Sequence, residues 1–199
     1  MSNQSSTSAP LSTHLPDQLF AVYQSTTNAG NQLSAADKLE MIEKLQLVEL
    51  IYDSRRFDAF ESILTEDFTL DHALAKRSDL NEFRQFWQAN ETTLLNGLRH
   101  QFNNIIVYPE PDGTASAVSY LNVLRFANTP DSSVADTPHL VAHAPQITHF
   151  RKDKGVWKID RIVIDQMAVS NTFGLDEPAR LYFAGLAGER DEIGQPMFP

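Results

Sequence analysis

The residues of this chain best suited to chemistry are a tyrosine and an aspartate at the end of a predicted helix, together with two histidines. Tyr52 and Asp53 close an amphipathic segment, and His72 and His100 fall on strand positions whose side chains point inward. A carboxylate at a helix C-terminus meets the negative end of the helix dipole, which disfavours its charged form. A carboxyl group with an imidazole in reach is the minimum equipment for proton transfer without a cofactor.

The composition of the chain excludes several classes of protein. The 199 residues are enough for one domain with a sizeable core. A formal net charge of −10 argues against a nucleic-acid partner or an anionic membrane surface, because both require clustered Lys and Arg. No cysteine is present, which excludes disulfides, thiolate metal sites and cysteine nucleophiles. No apolar run reaches the roughly 18 residues of a membrane span, and the polar start lacks the basic region of a signal peptide, so we expect a cytoplasmic protein.

The elements that must position these side chains begin with helices. Residues 1–33 are polar and predicted to be largely disordered, and residues 34–168 form the folded domain. Ser34 opens a long helix with Asp37 completing a capping pattern. Its buried face is predicted from a run of apolar residues: Leu39, Ile42, Leu45, Val48, Leu50 and Ile51. A short helix is predicted over 57–64, and another helix begins at Ser78.

Strands dominate the second half of the chain. The alternation of apolar and polar residues predicts strands over 67–74, 100–108, 114–128, 140–151 and 156–166, with turns at 109–113 and 152–155. Helices followed by a meander of long antiparallel strands indicate an α+β fold. Residues 169–199 are predicted to form a C-terminal arm packed on the sheet.

Three short motifs carry a resemblance to a known family. The helix ends in Tyr52-Asp53-Ser54-Arg55-Arg56-Phe57-Asp58, His100 lies near the start of the first long strand, and the last hairpin reads Gly155-Val156-Trp157-Lys158. These motifs resemble scytalone dehydratase and the SnoaL-like proteins of the nuclear transport factor 2-like superfamily, over roughly residues 35–166. The resemblance implies a cone-shaped α+β barrel, with N-terminal helices packed on a strongly curved antiparallel sheet.

The resemblance also implies an activity. Asp53 and His100 would transfer the proton, and Tyr52 would hold a water molecule or a substrate carbonyl. His72 stands where the dehydratase has a second tyrosine, and Arg125 where it has a second histidine. Ala144 and Gln146 replace a serine and an asparagine, so the acid and base groups are kept while the groups that contact the substrate differ. The residues expected to bind the substrate are His72, Arg125, Gln146, Asn104, Phe102, Phe68 and Trp87.

The function expected from this resemblance is a cofactor-independent lyase or isomerase acting on a small cyclic ketone or phenol of polyketide or terpenoid type. Polyketide ring closure and epoxide opening fit the same groups. The C-terminal arm would then close over the cone as a lid, although it could equally cover a sheet edge. A non-enzymatic ligand-binding or assembly module of the same fold is the rival hypothesis.

Each candidate also has a purely structural interpretation. Asp53 could pair with Arg55 and Arg56 at the helix end, and Tyr52 could be packed with its hydroxyl in water. His72 could be a satisfied core histidine. Arg125 faces inward only if the alternation from Leu121 and Val123 holds, since a one-residue slip would turn it to solvent.

The remaining histidines do not suggest a metal site. His139 and His149 would lie roughly 30 Å apart on an extended strand, whereas zinc ligands lie about 2 Å from one ion. His143 and His149 have the opposite parity to Ala144 and Gln146, which assigns them to the outer face of the sheet. We therefore expect no metal, and the resemblance implies no cofactor. Tyr120 and Ile147 on that face are candidates for contacts in a homo-oligomer, a dimer or a trimer.

Overall fold

The computed structural model describes residues 33–72, 75–95, 97–126, 137–164 and 167–169. Residues 1–32 and 170–199, which include nearly all of the predicted disordered segment and of the predicted C-terminal arm, lie outside the described residues. In the described part of the chain, neither α-helix is long and apolar enough to cross a membrane.

The first helix, α1 (Ala35–Ser54), begins and ends as its sequence specifies. The hydroxyl of Ser34 accepts a hydrogen bond from the backbone N–H of Asp37, which confirms the predicted cap. At the other end Arg55 adopts a left-handed conformation, and the backbone N–H groups of Arg55 and Arg56 close the last turn. Asp53 therefore lies in the final turn of the helix, beside the sheet.

The buried face of α1 differs from the predicted one. Met41, Leu45 and Val48 are buried, but Leu39 is 58% exposed and Leu50 is 61% exposed. The prediction for these two leucines was wrong because the apolar residues of α1 occupy a wider arc than one contact surface can cover. The inner face instead includes Glu49, which was not predicted to be buried and is only 6% exposed.

Two further helical segments support the same core. A 3₁₀ helix (Phe57–Ser62) stands where a short helix was predicted, and α2 (Leu80–Leu94) begins after an Asp79 cap, close to the expected start. Phe60 and Phe83 are fully buried, and Phe83 packs edge-on against Phe60 and Phe68 at ring-centroid distances of 5.0 and 4.8 Å. This aromatic cluster fixes α2 against the inner face of the sheet.

The described residues form seven strands, which make one sheet. Their bounds are β1 (Leu64–His72), β2 (Ala75–Arg77), β3 (Leu98–Pro109), β4 (Ala115–Arg125), β5 (His139–Asp153), β6 (Val156–Ile164) and β7 (Ala168–Val169). The order is β2-β1-β6-β5-β4-β3, with β7 paired to β5. The predicted antiparallel meander is confirmed for β3 to β6, while β1 pairs with β6 in parallel.

The helix α1 is tied to the sheet at both ends. At its N-terminal end the indole N–H of Trp157 donates to Asp37 at 2.6 Å, and the backbone N–H of Trp157 donates to Glu40 at 3.3 Å. At its C-terminal end α1 contacts β3, where Asp53 and His100 meet. Because both ends are fixed, the inner face of α1 is held over the concave side of the sheet.

Candidate active site

The centre of the site is the contact between Asp53 and His100. Asp53 Oδ1 lies 2.9 Å from His100 Nδ1, and Asp53 Oδ2 accepts the backbone N–H of His100 at 3.2 Å. The two carboxylate oxygens therefore fix both the ring and the backbone of His100. With Nδ1 held by the carboxylate, Nε2 is the ring nitrogen left for chemistry.

A second carboxylate approaches the same imidazole. Glu49 Oε2 lies 3.8 Å from His100 Nδ1, is buried, and has no hydrogen-bond partner among the described residues. Glu49 precedes Asp53 by one helical turn, so both side chains project toward β3. Glu49 was not predicted to belong to the site, although a charged residue between the apolar Leu45, Val48 and Tyr52, all buried, is a signal that could have identified it.

The electrostatics of this cluster follow from its burial. Burial raises the pKa of Glu49 to about 7, although the neighbouring His100 acts in the opposite direction. Burial alone would lower the pKa of His100, but the hydrogen bond to Asp53 and the charges of Glu49 and Asp53 outweigh it, so the pKa is raised. An imidazole with a raised pKa is a stronger base than a free one, which suits abstraction of a proton.

A small cavity lies next to this cluster. Its free volume is about 30 Å³, enough for one or two water molecules. The cavity is lined by Val48, Glu49, Tyr52, Leu70, His72, Trp87, His100, Leu121, Gln146, Ile162 and Ile164. Most of the exposed wall surface is apolar, and its polar groups come from Glu49, Tyr52, His72, Trp87, His100 and Gln146.

Of the three residues predicted to do the chemistry, two line the cavity directly. Tyr52 and His100 are in its wall, and their rings lie 5.9 Å apart. Asp53 is not in the wall but stands behind His100, as an orienting carboxylate. Burial raises the pKa of Tyr52 well above its ordinary value, so its hydroxyl stays neutral and can donate a hydrogen bond.

Three of the seven predicted binding residues also line the cavity. His72 and Gln146 are 6% and 1% exposed, and Trp87 packs edge-on against Tyr52 with ring centroids 4.9 Å apart. Burial lowers the pKa of His72 to about 3, and the charge of His100 acts in the same direction. His72 is therefore a neutral imidazole at working pH, able to donate or accept a hydrogen bond but not to supply a charge.

The other four predicted binding residues lie elsewhere. Phe68 is fully buried against Phe83 in the core and does not reach the cavity. Asn104 is exposed, with a left-handed φ of 54°, at the irregularity where the pairing of β3 with β4 shifts. The bulge turns its side chain outward, which simple alternation along the strand does not anticipate.

Phe102 and Arg125 were also predicted to line the cavity, and both lie outside its wall. Phe102 borders an open groove between α1 and β3 rather than the cavity. Arg125 shares the inward face of β4 with Leu121 and Val123 and is only 7% exposed, but it lies at the end of the strand, outside the cavity wall.

The histidines of β5 are spread along the strand. His139 is exposed at its start, His143 Nδ1 lies 2.7 Å from Asn122 Oδ1, and His149 Nδ1 lies 2.9 Å from the hydroxyl of Ser116. Each has its own surroundings, and no group of three His, Asp or Glu side chains in the described part of the chain is arranged to hold a metal ion.

Comparison with known protein families identifies the family of this chain. A family model for the SnoaL-like domain matches residues 34–163. The chain belongs to the SnoaL-like domain family. This confirms the resemblance and the α+β cone fold expected from the sequence. No curated protein sequence matches the chain.

Solved structures share the fold of this SnoaL-like protein at low sequence identity. A protein of unknown function with a cystatin-like fold from Nostoc punctiforme is 24% identical, with a TM-score of 0.58 over 71% of this chain and 97% of its own. ActVI-ORFA from Streptomyces coelicolor is 19% identical, with a TM-score of 0.54 over 64% and 95%. A protein proposed to be a scytalone dehydratase, from Novosphingobium aromaticivorans, is 13% identical, with a TM-score of 0.54 over 71% and 96%.

Proposed function

We propose that this SnoaL-like protein is a cofactor-independent lyase or isomerase that moves a proton on a small cyclic ketone or phenol of polyketide or terpenoid type. The observation that carries the proposal is the 2.9 Å contact of Asp53 with a His100 that borders a small, mainly apolar cavity. Similarity in fold to a protein proposed to be a scytalone dehydratase is in keeping with this chemistry.

In the proposed reaction His100 acts as the general base. Nε2 takes a proton from a carbon next to the substrate carbonyl, and the electron pair of that C–H bond moves onto the carbonyl oxygen. Asp53 holds the imidazole in the required tautomer and stabilises the imidazolium that forms. The proton is then returned to the substrate, at another carbon for an isomerase or at a departing hydroxyl for a dehydratase.

The polar residues of the wall would stabilise the charge that develops on the carbonyl oxygen. Tyr52 and His72 would be neutral donors for that oxygen, and in a mainly apolar site their hydrogen bonds are stronger than in solution. Gln146, whose amide donates to Thr148 at 3.0 Å, retains its carbonyl oxygen to orient a substrate hydroxyl.

The test uses hydrogen exchange, because it reports proton abstraction whatever the natural substrate is. Cyclohexanone and β-tetralone are incubated with the protein in deuterium oxide, and exchange next to the carbonyl is followed by NMR. His100→Ala and His100→Gln should slow exchange by about a hundred- to ten-thousand-fold, and Asp53→Asn by at least about a hundred-fold.

The matched control is His143→Ala, which removes a histidine from the outer face of the sheet. It should leave exchange unchanged, since His143 contacts Asn122 and not the cavity. Unchanged exchange in both the Asp53 and His100 variants would refute the proposal.

One observation favours a second candidate, a ligand-binding module without turnover. The cavity of about 30 Å³ is far smaller than a cyclic substrate, so a substrate must displace side chains as it enters. If both ketones bind, as judged by quenching of tryptophan fluorescence, and neither exchanges hydrogen, this candidate replaces the enzyme.

A further inference from the structure

The side chain of Glu49 lies between two spaces. On one side is the small cavity, and on the other is an open groove of about 360 Å³ between α1 and β3. Glu49 and His100 are the two residues that line both. The rest of the groove wall is formed by Gln46, Leu50, Gln101, Phe102 and Asn103.

One side of Glu49 forms part of the wall of a groove that is open to solvent. Gln46, Leu50, Gln101 and Asn103 are all exposed along this groove, and Glu49 itself is 6% exposed. The other side of the same carboxyl group, Oε2, is 3.8 Å from His100 Nδ1 and is hydrogen-bonded to nothing in the described residues.

From this arrangement, and building on the proposed function, we infer that Glu49 compensates the charge of His100 during the reaction. When Nε2 of His100 accepts a proton from the substrate, the carboxyl group of Glu49 releases its own proton to water in the groove. When His100 returns the proton to the substrate, Glu49 takes one back. The buried cluster of Glu49, Asp53 and His100 thus carries a net charge of about −1 throughout.

Electrostatics supports this exchange. Burial brings the pKa of Glu49 to about 7, so its proton is easily gained or lost at neutral pH. The positive charge of His100, 3.8 Å away, holds that pKa lower than burial alone would, because opposite charges at this distance favour each other. Formation of the imidazolium and ionisation of Glu49 therefore promote one another. In this role Glu49 does not contact the reacting atoms of the substrate. It acts through its electrostatic effect on His100.

Other charged and titratable groups around His100 do not replace Glu49 in this role. Asp53 is already bonded to His100 Nδ1, and the buried Tyr52 and His72 both stay neutral at working pH. Arg99, adjacent in β3, opposes protonation of His100. The remaining polar neighbours in the cavity wall, Trp87 and Gln146, do not titrate.

The first experiment is an NMR titration of His100 in the resting protein. In Glu49→Gln the titration midpoint of His100 should fall by about one pH unit or more, because the imidazolium loses the carboxylate that Glu49 forms beside it. Glu49→Asp should give an intermediate midpoint. The matched control is Glu43→Gln, which removes the same charge from an exposed position of the same helix and should leave the midpoint unchanged.

The second experiment is the pH dependence of hydrogen exchange into β-tetralone. In Glu49→Gln the limb that reports ionisation of His100 should move to lower pH by the same amount as the NMR midpoint, while Glu43→Gln keeps the wild-type profile. An unshifted His100 midpoint in Glu49→Gln would overturn the inference. The titration needs no substrate, so its failure is distinct from failure of the proposed function, which is marked by unchanged exchange in the His100 variants.

Discussion

Replacing Glu49 by glutamine should make the stability of this protein less dependent on pH. Glu49 has an ordinary pKa of 4.5 in the unfolded chain and a pKa of about 7 in the folded protein, because it is buried. Between these values the folded protein holds a proton that the unfolded chain releases. The wild-type protein therefore loses stability as the pH rises through this window and stays at the lower level above it.

The size of the effect follows from the interval between the two pKa values. An interval of 2.5 pH units corresponds to a loss of about 3 kcal/mol once Glu49 is ionised in both states. Between about pH 5.5 and about pH 8.5 the wild type should lose roughly 2 kcal/mol relative to Glu49→Gln. With a urea m-value of about 2 kcal/mol per molar, this is a relative shift of roughly 1 M in the unfolding midpoint.

The assay is urea unfolding followed by tryptophan fluorescence at several pH values. The assay gives the difference in unfolding free energy between the variant and the wild type at each pH. The slope of this difference against pH tests the prediction, whereas its absolute value also includes the change in packing that glutamine causes. Glu43→Gln, exposed on the same helix, should give a difference that stays flat to within about 0.5 kcal/mol. A flat difference for Glu49→Gln as well would show that Glu49 is already ionised in the folded protein and would refute the reasoning.

Two further predictions concern the core and the cavity wall. The folded pKa of His72, about 3, lies below its ordinary value of 6.5, so stability is lost as the pH falls through that range. His72→Asn should therefore gain about 2 kcal/mol relative to wild type between about pH 7 and about pH 5, measured by urea unfolding; a pH-independent difference would contradict this. Phe83→Ala should lower the unfolding free energy by about 3 to 5 kcal/mol, because it removes a fully buried ring packed against Phe60 and Phe68. Leu50→Ala, at a position 61% exposed, should change it by less than about 0.5 kcal/mol; a Phe83→Ala loss no larger than this would contradict the packing.

Local chemistry was enough to predict most of the elements of the fold. The Ser34 cap and the hairpin turn at Lys154-Gly155 are specified by neighbouring residues, and both occur where they were expected. Where apolar and polar residues alternate regularly along a strand, the predicted inward direction of the side chains was also correct, as for Phe68, Leu70 and His72 on β1. The parallel pairing of β1 with β6 could not be predicted in this way, because it depends on a contact between segments far apart in sequence.

The residues of the site also differ in whether local sequence or tertiary contacts decide their positions. The sequence by itself determined that Asp53 ends a helix and that His100 begins a long strand, since capping and alternation are local properties. Only the tertiary structure decided that these side chains lie 2.9 Å apart, that Glu49 joins them, and that a bulge in β3 turns Asn104 out to solvent. The physical reason is that burial, and the pKa changes it causes, depend on how α1 is laid across β3, which no short segment of the chain encodes.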